Sequence, residues 1–374
     1  MTRYPFSVIR ERLRDRGGEV LDFAIGSAGV PLAEPLAAIV QERPQLALRR
    51  STPDEVESFA ASAAEMLLRV YDVRVEPERV LAVPGSRVAI STLTACLLRP
   101  NDDVLVTEPG YPAFARVAAH QHARIWRAAL DPERDFLPDL DLLSKSGPFR
   151  IAALNYPNNP TGAVLSRSGV AELAARVGPK AILFNDAAYG PLVYRGSPRS
   201  LLGLGALEGI EQPMAELHSL SKLFSLGPLG ISFFVGTSGL IEELREYSDF
   251  AWAPLSSLHL ELARHCVVDE PLLDHVRDFY AQRIEALRAT IGDLGFRPYP
   301  TPAGLYVLCI LPTSIDGTQV TGAQQAADIL LDQFGLAVAA WEVASHSYLR
   351  FSSLYREQDL ESLAKLGERL EIVS

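Results

Sequence analysis

Residues 181–190 read AILFNDAAYG. Four apolar residues run on without polar alternation and stop at Asn185 and Asp186. A short, continuously apolar run suits a strand buried on both faces, as in a parallel sheet. The same form recurs at Val104-Leu105-Val106, Ile151-Ala152-Ala153-Leu154 and Phe233-Phe234-Val235. Segments with apolar residues at helical spacing lie between, such as LSRSGVAELAARV at 165–177. Strand–helix alternation predicts an α/β domain with a mainly parallel sheet flanked by helices. Ligands of such sheets bind at the carboxyl ends of the strands, and the polar motifs of this chain follow apolar runs directly.

The C-terminal third differs. A long helical pattern over 270–293 precedes a strand at 305–310, a helix near 321–334 and a strand at 348–351. This reads as a smaller α+β domain. We expect a large domain over 41–255 and a small domain made of 1–40 and 256–374. A length of 374 residues accommodates two such units.

Composition narrows the function. Apolar residues make up 48%, and the net charge is −11. An acidic chain whose densest basic pair is Arg49-Arg50 is a poor partner for nucleic acid. Cys96, Cys266 and Cys309 lie in apolar surroundings with no CxxC spacing, so neither a disulfide framework nor a metal site is expected. The opening MTRYPFSVIRERLRDRG has no apolar core and does not read as a secretory signal, and no apolar stretch reaches membrane-spanning length. The expectation is a cytoplasmic protein.

Asp186 at a strand end is costly to bury without a partner. Downstream, HSLSK places Ser219 and Ser221 around Lys222. A lysine amine attacks a carbonyl only after losing its proton, which burial favours. A lysine that forms a Schiff base, with an aspartate facing a ring nitrogen, is the pairing that pyridoxal 5'-phosphate requires. Tyr189, three residues after Asp186, can donate to the phenolate oxygen of such a ring. So can the amide of Asn159, held in the rigid turn NYPNNPTG. In VPGSRVAI, a Gly-Ser turn opens a helical pattern, so the amides of Gly85, Ser86 and Arg87 form an anion site. Tyr111 in EPGYP can stack on a ring. Arg350 in YLRFSS offers a planar fork to a carboxylate. Each motif alone has a plainer reading: a lysine capping a turn, a helix N-cap, an αβ loop, core packing, a structural ion pair.

Together, and in this order, GSRVAI, EPGYP, PNNPTG, DAAY, HSLSK, AGLYVL and YLRFS resemble the fold-type-I, pyridoxal-phosphate-dependent aminotransferases of class I/II over nearly the whole chain. LFNDAAYGPLVYRGSP through ELHSLSK is most similar to the LL-diaminopimelate aminotransferase branch. The resemblance implies amino-group transfer between an α-amino acid and a 2-keto acid. It implies Lys222 as Schiff base and general base, Asp186 at the pyridine nitrogen, and Asn159 and Tyr189 at the phenolate oxygen. It further implies Tyr111 on the ring, Ser86 and Ser219 at the phosphate, Arg350 at the substrate carboxylate, and a homodimer with shared sites. The same scaffold also serves elimination, decarboxylation or oxidation of an amino acid, and no motif separates these outcomes. A DNA-binding relative is disfavoured, because only about 80 residues precede GSRVAI and they carry no basic helix.

Three departures stand out. The family's phosphate-gripping arginine, eight residues after the lysine, is Gly230 here, and the glycine two residues before it is Pro228. An ungapped count back from Tyr71-Asp72-Val73 puts Arg50 where the family has a tyrosine that reaches the neighbouring subunit's phosphate. The family's PGxxFG loop is replaced by AAWEVASHSYLRF. With Gly230 unable to supply a cation, Arg50 of the partner is the expected replacement, ahead of Arg87 and Arg49.

Overall fold

Strand IAAL at Ile151–Leu154 and strand ILFNDA at Ile182–Ala187 are buried at every position, as continuous apolar runs require. They lie inside one eight-stranded sheet. The computed structural model describes residues 5–16, 20–25, 34–141, 143, 147–227, 229–343 and 346–374. Pro228, and parts of the N-terminal segment and of the 339–351 stretch, fall outside these.

In chain order the large sheet comprises β1 (Val80–Val83), β2 (Asp103–Glu108), β3 (Arg124–Asp131), β4 (Leu137–Pro138), β5 (Ile151–Leu154), β6 (Ile182–Ala187), β7 (Met214–Ser219) and β8 (Ser232–Gly236). Their spatial order is β1-β8-β7-β6-β5-β2-β3-β4. The run from β7 to β3 is parallel, and β8 and β4 are antiparallel to their neighbours. The chain reverses its order of addition between β2 and β5, which makes their carboxyl ends the switch point where such sheets bind ligands.

A second, three-stranded antiparallel sheet consists of β9 (Tyr306–Ile310), β10 (Ala339–Val343) and β11 (His346–Ser352), with β11 in the middle. The pair Leu21–Asp22 runs parallel to Leu336–Ala337 as a separate two-stranded sheet. The expected boundaries at 40/41 and 255/256 do not coincide with the division between cores. Leu36, Ile39 and the apolar face of helix Ser257–Val268 pack in the core of the large sheet. Helix Glu270–Asp293 spans both, with Leu272, Val276 and Tyr280 in one core and Ile284, Leu287 and Ile291 in the other. Two helical turns of a long amphipathic helix can serve different cores, and composition does not mark where the change occurs.

Helix Pro53–Tyr71 shows how local sequence fixes an element. The Thr52 hydroxyl accepts from Glu55 N, the Glu55 carboxylate accepts from Thr52 N, and Pro53 occupies the first turn. This cap ends the extended stretch carrying Arg49 and Arg50.

Candidate active site

The carboxyl ends of β2, β5 and β6 open on a cavity of about 370 Å³ whose lining includes Tyr111, Asn155, Asp186 and Trp341. Asp186 is 4% exposed, and its Oδ1 has no hydrogen-bond partner among the described residues. Burial pushes its carboxyl up to about 7, offset in part by a hydrogen bond from the Ala188 backbone. A buried carboxylate with an idle oxygen suits a ligand that presents a positively charged N–H. A protonated pyridine nitrogen is such a group.

One residue that motif reading passed over organises the floor. Asn155 Oδ1 accepts from Tyr111 N at 3.3 Å and from Asn159 N at 3.1 Å, while its Nδ2 donates to the Asp186 carbonyl at 2.9 Å. One amide thus fixes three predicted residues from three strand ends. Its signal was its position directly after the apolar run 151–154.

Tyr189 is buried, with its hydroxyl 3.4 Å from that of Tyr306. Burial foremost, then Tyr306, holds its phenol well above the usual value. Arg350 is 1% exposed; Nη1 donates to Asn159 Oδ1 at 3.1 Å and Nη2 to the Ala24 carbonyl at 2.6 Å. Its guanidinium lies 4.0 Å from the Tyr306 ring centroid and 5.7 Å from that of Trp341. Residues 348–352, with Arg350 at their centre, are buried throughout. This strand is the centre of its sheet and is covered on both faces. Val343 pairs with His346 across β10 and β11, and Trp341 of β10 lines the cavity.

Helix Ser86–Leu97 begins after Gly85, and Ser86 Oγ lies 3.0 Å from Ser232 Oγ. Ser219 closes β7 opposite Ser232. The expectation that both SLSK hydroxyls surround the amine is corrected for Ser221. Its hydroxyl donates to the Ile231 carbonyl and accepts from Ile231 N, at 3.1 and 2.8 Å, so it ties the 221–231 loop shut. Lys222 follows in a turn and is exposed, not buried as its chemistry suggested, although Ser221, Leu223 and Phe224 around it are buried.

Gly230 is no passive gap. Its φ is +63°, and a Cβ there would stand 3.2 Å from the Pro84 carbonyl oxygen; a Cβ on Gly85, at φ +95°, would stand 3.1 Å from Gly230 Cα. The two turns meet backbone to backbone, and the positive φ at both positions together with this close approach favours glycine. Arg87 is exposed on the first turn of its helix. Arg49 pairs with Glu55, whereas the Arg50 guanidinium forms no ion pair among the described residues and is exposed. The backbone bridge of Arg50 to Ser256 puts the two arginines in extended chain, on opposite sides. Among the described residues, no group of three or more acidic, histidine or cysteine side chains could hold a metal, and no helix is long and apolar enough to cross a membrane.

A family model described as aminotransferase class I and II matches residues 22–365. The chain is 26% identical to the LL-diaminopimelate aminotransferase of Methanocaldococcus jannaschii, across 94% of this chain and 85% of that one. It is 25% identical to the transaminase BacF of Bacillus subtilis, across 100% and 95% respectively. It is 28% identical to the L-glutamine–4-(methylsulfanyl)-2-oxobutanoate aminotransferase of the same organism, across 93% and 88%. The structure of substrate-bound BacF matches with a TM-score of 0.86 at 23% identity, covering 100% of this chain and 97% of that one.

Proposed function

Because the chain belongs to the aminotransferase class I and II family and is a pyridoxal-phosphate-dependent aminotransferase, we propose that Lys222, Asp186, Asn159, Tyr189 and Arg350 carry its chemistry around the cavity; of these five, Asp186 lines it directly. The observation that carries this assignment is the buried Asp186 with its idle oxygen. When bound, the cofactor supplies an electrophilic carbon for an amino group and a protonated ring that withdraws electrons from the substrate Cα. Lys222 would anchor that carbon through Nζ, yield it to the substrate amine and then take the Cα proton. Asp186 would hold the ring proton in place. Asn159 has its Oδ1 engaged by Arg350, which leaves its NH₂ group to donate toward the phenolate oxygen, and Tyr189 would donate beside it. Tyr111 would cover the ring, and Gly85, Ser86, Arg87 and Ser219 would surround the phosphate. Ser221 would act on the loop rather than on the phosphate.

The relatives are named for substrates with unlike side chains and a common α-amino acid head, so the head is what we carry over. Arg350 would receive its carboxylate. Arg350→Lys keeps the charge and loses the planar fork, so kcat/KM should fall by roughly 2–4 kcal/mol. Unchanged kinetics with amino-acid substrates would refute the role. The test of the reaction is a panel of amino acids given to the loaded protein with a 2-oxo acid acceptor. One 2-oxo acid should appear per acceptor aminated, and release of CO₂ or ammonia instead would overturn transamination.

We further read the protein as a cytoplasmic homodimer. Leu48, 93% exposed, and Phe250, 94% exposed, are apolar surface that a second copy would cover. Three unpaired, buried cysteines suit a reducing compartment. Leu48 adjoins Arg50, whose side chain would then reach the neighbouring phosphate. Apoprotein carrying Arg50→Ala should bind cofactor about tenfold more weakly or worse, since a buried charge stripped of its partner costs about 3–5 kcal/mol at most. A mixed dimer of Arg50→Ala and Lys222→Ala subunits should regain about half the wild-type activity, because one site is then intact and the other carries both lesions. No recovery would place Arg50 outside the neighbouring site.

A further inference from the structure

Ser232 is 1% exposed and sits in β8 between two partners, facing Val83 of β1 in register on one side and Ser219 of β7 on the other. Its Oγ lies 3.0 Å from that of Ser86, the first residue of helix Ser86–Leu97. A hydroxyl pair uses one hydrogen between its two oxygens and keeps the other for a third group. Either hydroxyl can donate in this pair; Ser232 is sealed within the sheet and Ser86 is half-buried, so the arrangement in which Ser232 donates is the one that leaves a hydrogen for a third group. In that arrangement the hydrogen of Ser86 is available at the helix end where backbone N–H groups also point. Two residues before Ser232, the left-handed Gly230 packs on Pro84 and Gly85, where a side chain would be strained and would meet the Pro84 carbonyl at 3.2 Å.

Resting on the cofactor assignment above, we propose that Ser232 is a positioning residue for the cofactor's phosphate, acting through Ser86. Ser232→Ala leaves Ser86 free to rotate and removes the donor that polarises it. Ser232→Ala removes a partner of Ser86 and not the bond from Ser86 to the phosphate, so the loss should be roughly tenfold in affinity and confined to ligands that carry the phosphate.

The experiment titrates apoprotein with pyridoxal 5'-phosphate and, separately, with pyridoxal, following the absorbance of the bound ring. Wild type should prefer the phosphorylated ligand; if it does not, the cofactor assignment itself fails. Ser232→Ala should lose about tenfold for pyridoxal 5'-phosphate and less than twofold for pyridoxal. Equal losses for both ligands mean ordinary packing and overturn the proposal, as does no loss for either. Ser232→Cys, which keeps the size and weakens the donor, should fall between, and carries the same comparison if the alanine variant does not fold. Because Ser232 acts through Ser86, the double variant Ser86→Ala/Ser232→Ala should bind pyridoxal 5'-phosphate no worse than Ser86→Ala alone. Additive losses would make the two serines independent and end the idea.

Discussion

Lys222→Ala should abolish amino-group transfer, with kcat lower by at least about 10⁴-fold. Loss of a positioned base alone accounts for 10²–10⁴-fold, and the covalent route is lost with it. The variant should still retain cofactor, since Asp186 and the Gly85–Ser86 turn do not depend on the Lys222 side chain. The sequence holds lysines at 145, 180, 222 and 365, which makes the assignment easy to check. Borohydride reduction of the loaded wild type should add the cofactor's mass to the peptide containing Lys222. The same treatment of Lys222→Ala should add it nowhere. Label on Lys180, or on Lys365 at the end of helix Glu357–Lys365, would displace Lys222 from the mechanism.

The second large effect is on stability and depends on pH. In apoprotein the Asp186 carboxyl titrates near 7 because burial disfavours its charge, against an ordinary 3.8 in the unfolded chain. Below about pH 4 it is protonated in both states and costs nothing. Between 4 and 7 the unfolded chain gives up the proton while the folded chain keeps it, so folding loses stability as pH rises. At 1.36 kcal/mol per unit the loss is about 4 kcal/mol overall, with about 3 kcal/mol of it between pH 5 and 8. Apo Asp186→Asn should therefore outlast apo wild type in urea at pH 8 and draw level near pH 4. Bound cofactor, which supplies a cation to the carboxylate, should remove the decline in wild type. A flat pH profile for apo wild type would show that Asp186 keeps its charge without a ligand, and the case for its partner would weaken.

AILFNDAAYG and its sister runs were enough to read the α/β layer. A strand covered on both faces has no polar alternation, and that is written in the residues themselves. The same holds for which residues fall at strand ends: Tyr111, Asn159, Asp186 and Lys222 each follow an apolar run within a few positions. Their separation in sequence carries no distance, however, and other relations depended on tertiary contact. That one amide, Asn155, binds the ends of β2, β5 and β6 depends on a strand order that reverses between β2 and β5. That Arg350 is enclosed between Tyr306 and Trp341 depends on β11 pairing with both β9 and β10. The boundary between cores passes through the middle of helix Glu270–Asp293, whose amphipathic pattern is the same on both sides of it. Gly230 shows the contrast most plainly. From sequence it is the absence of an arginine; in three dimensions it is a backbone-to-backbone contact with Gly85, a close approach at positive φ that favours glycine.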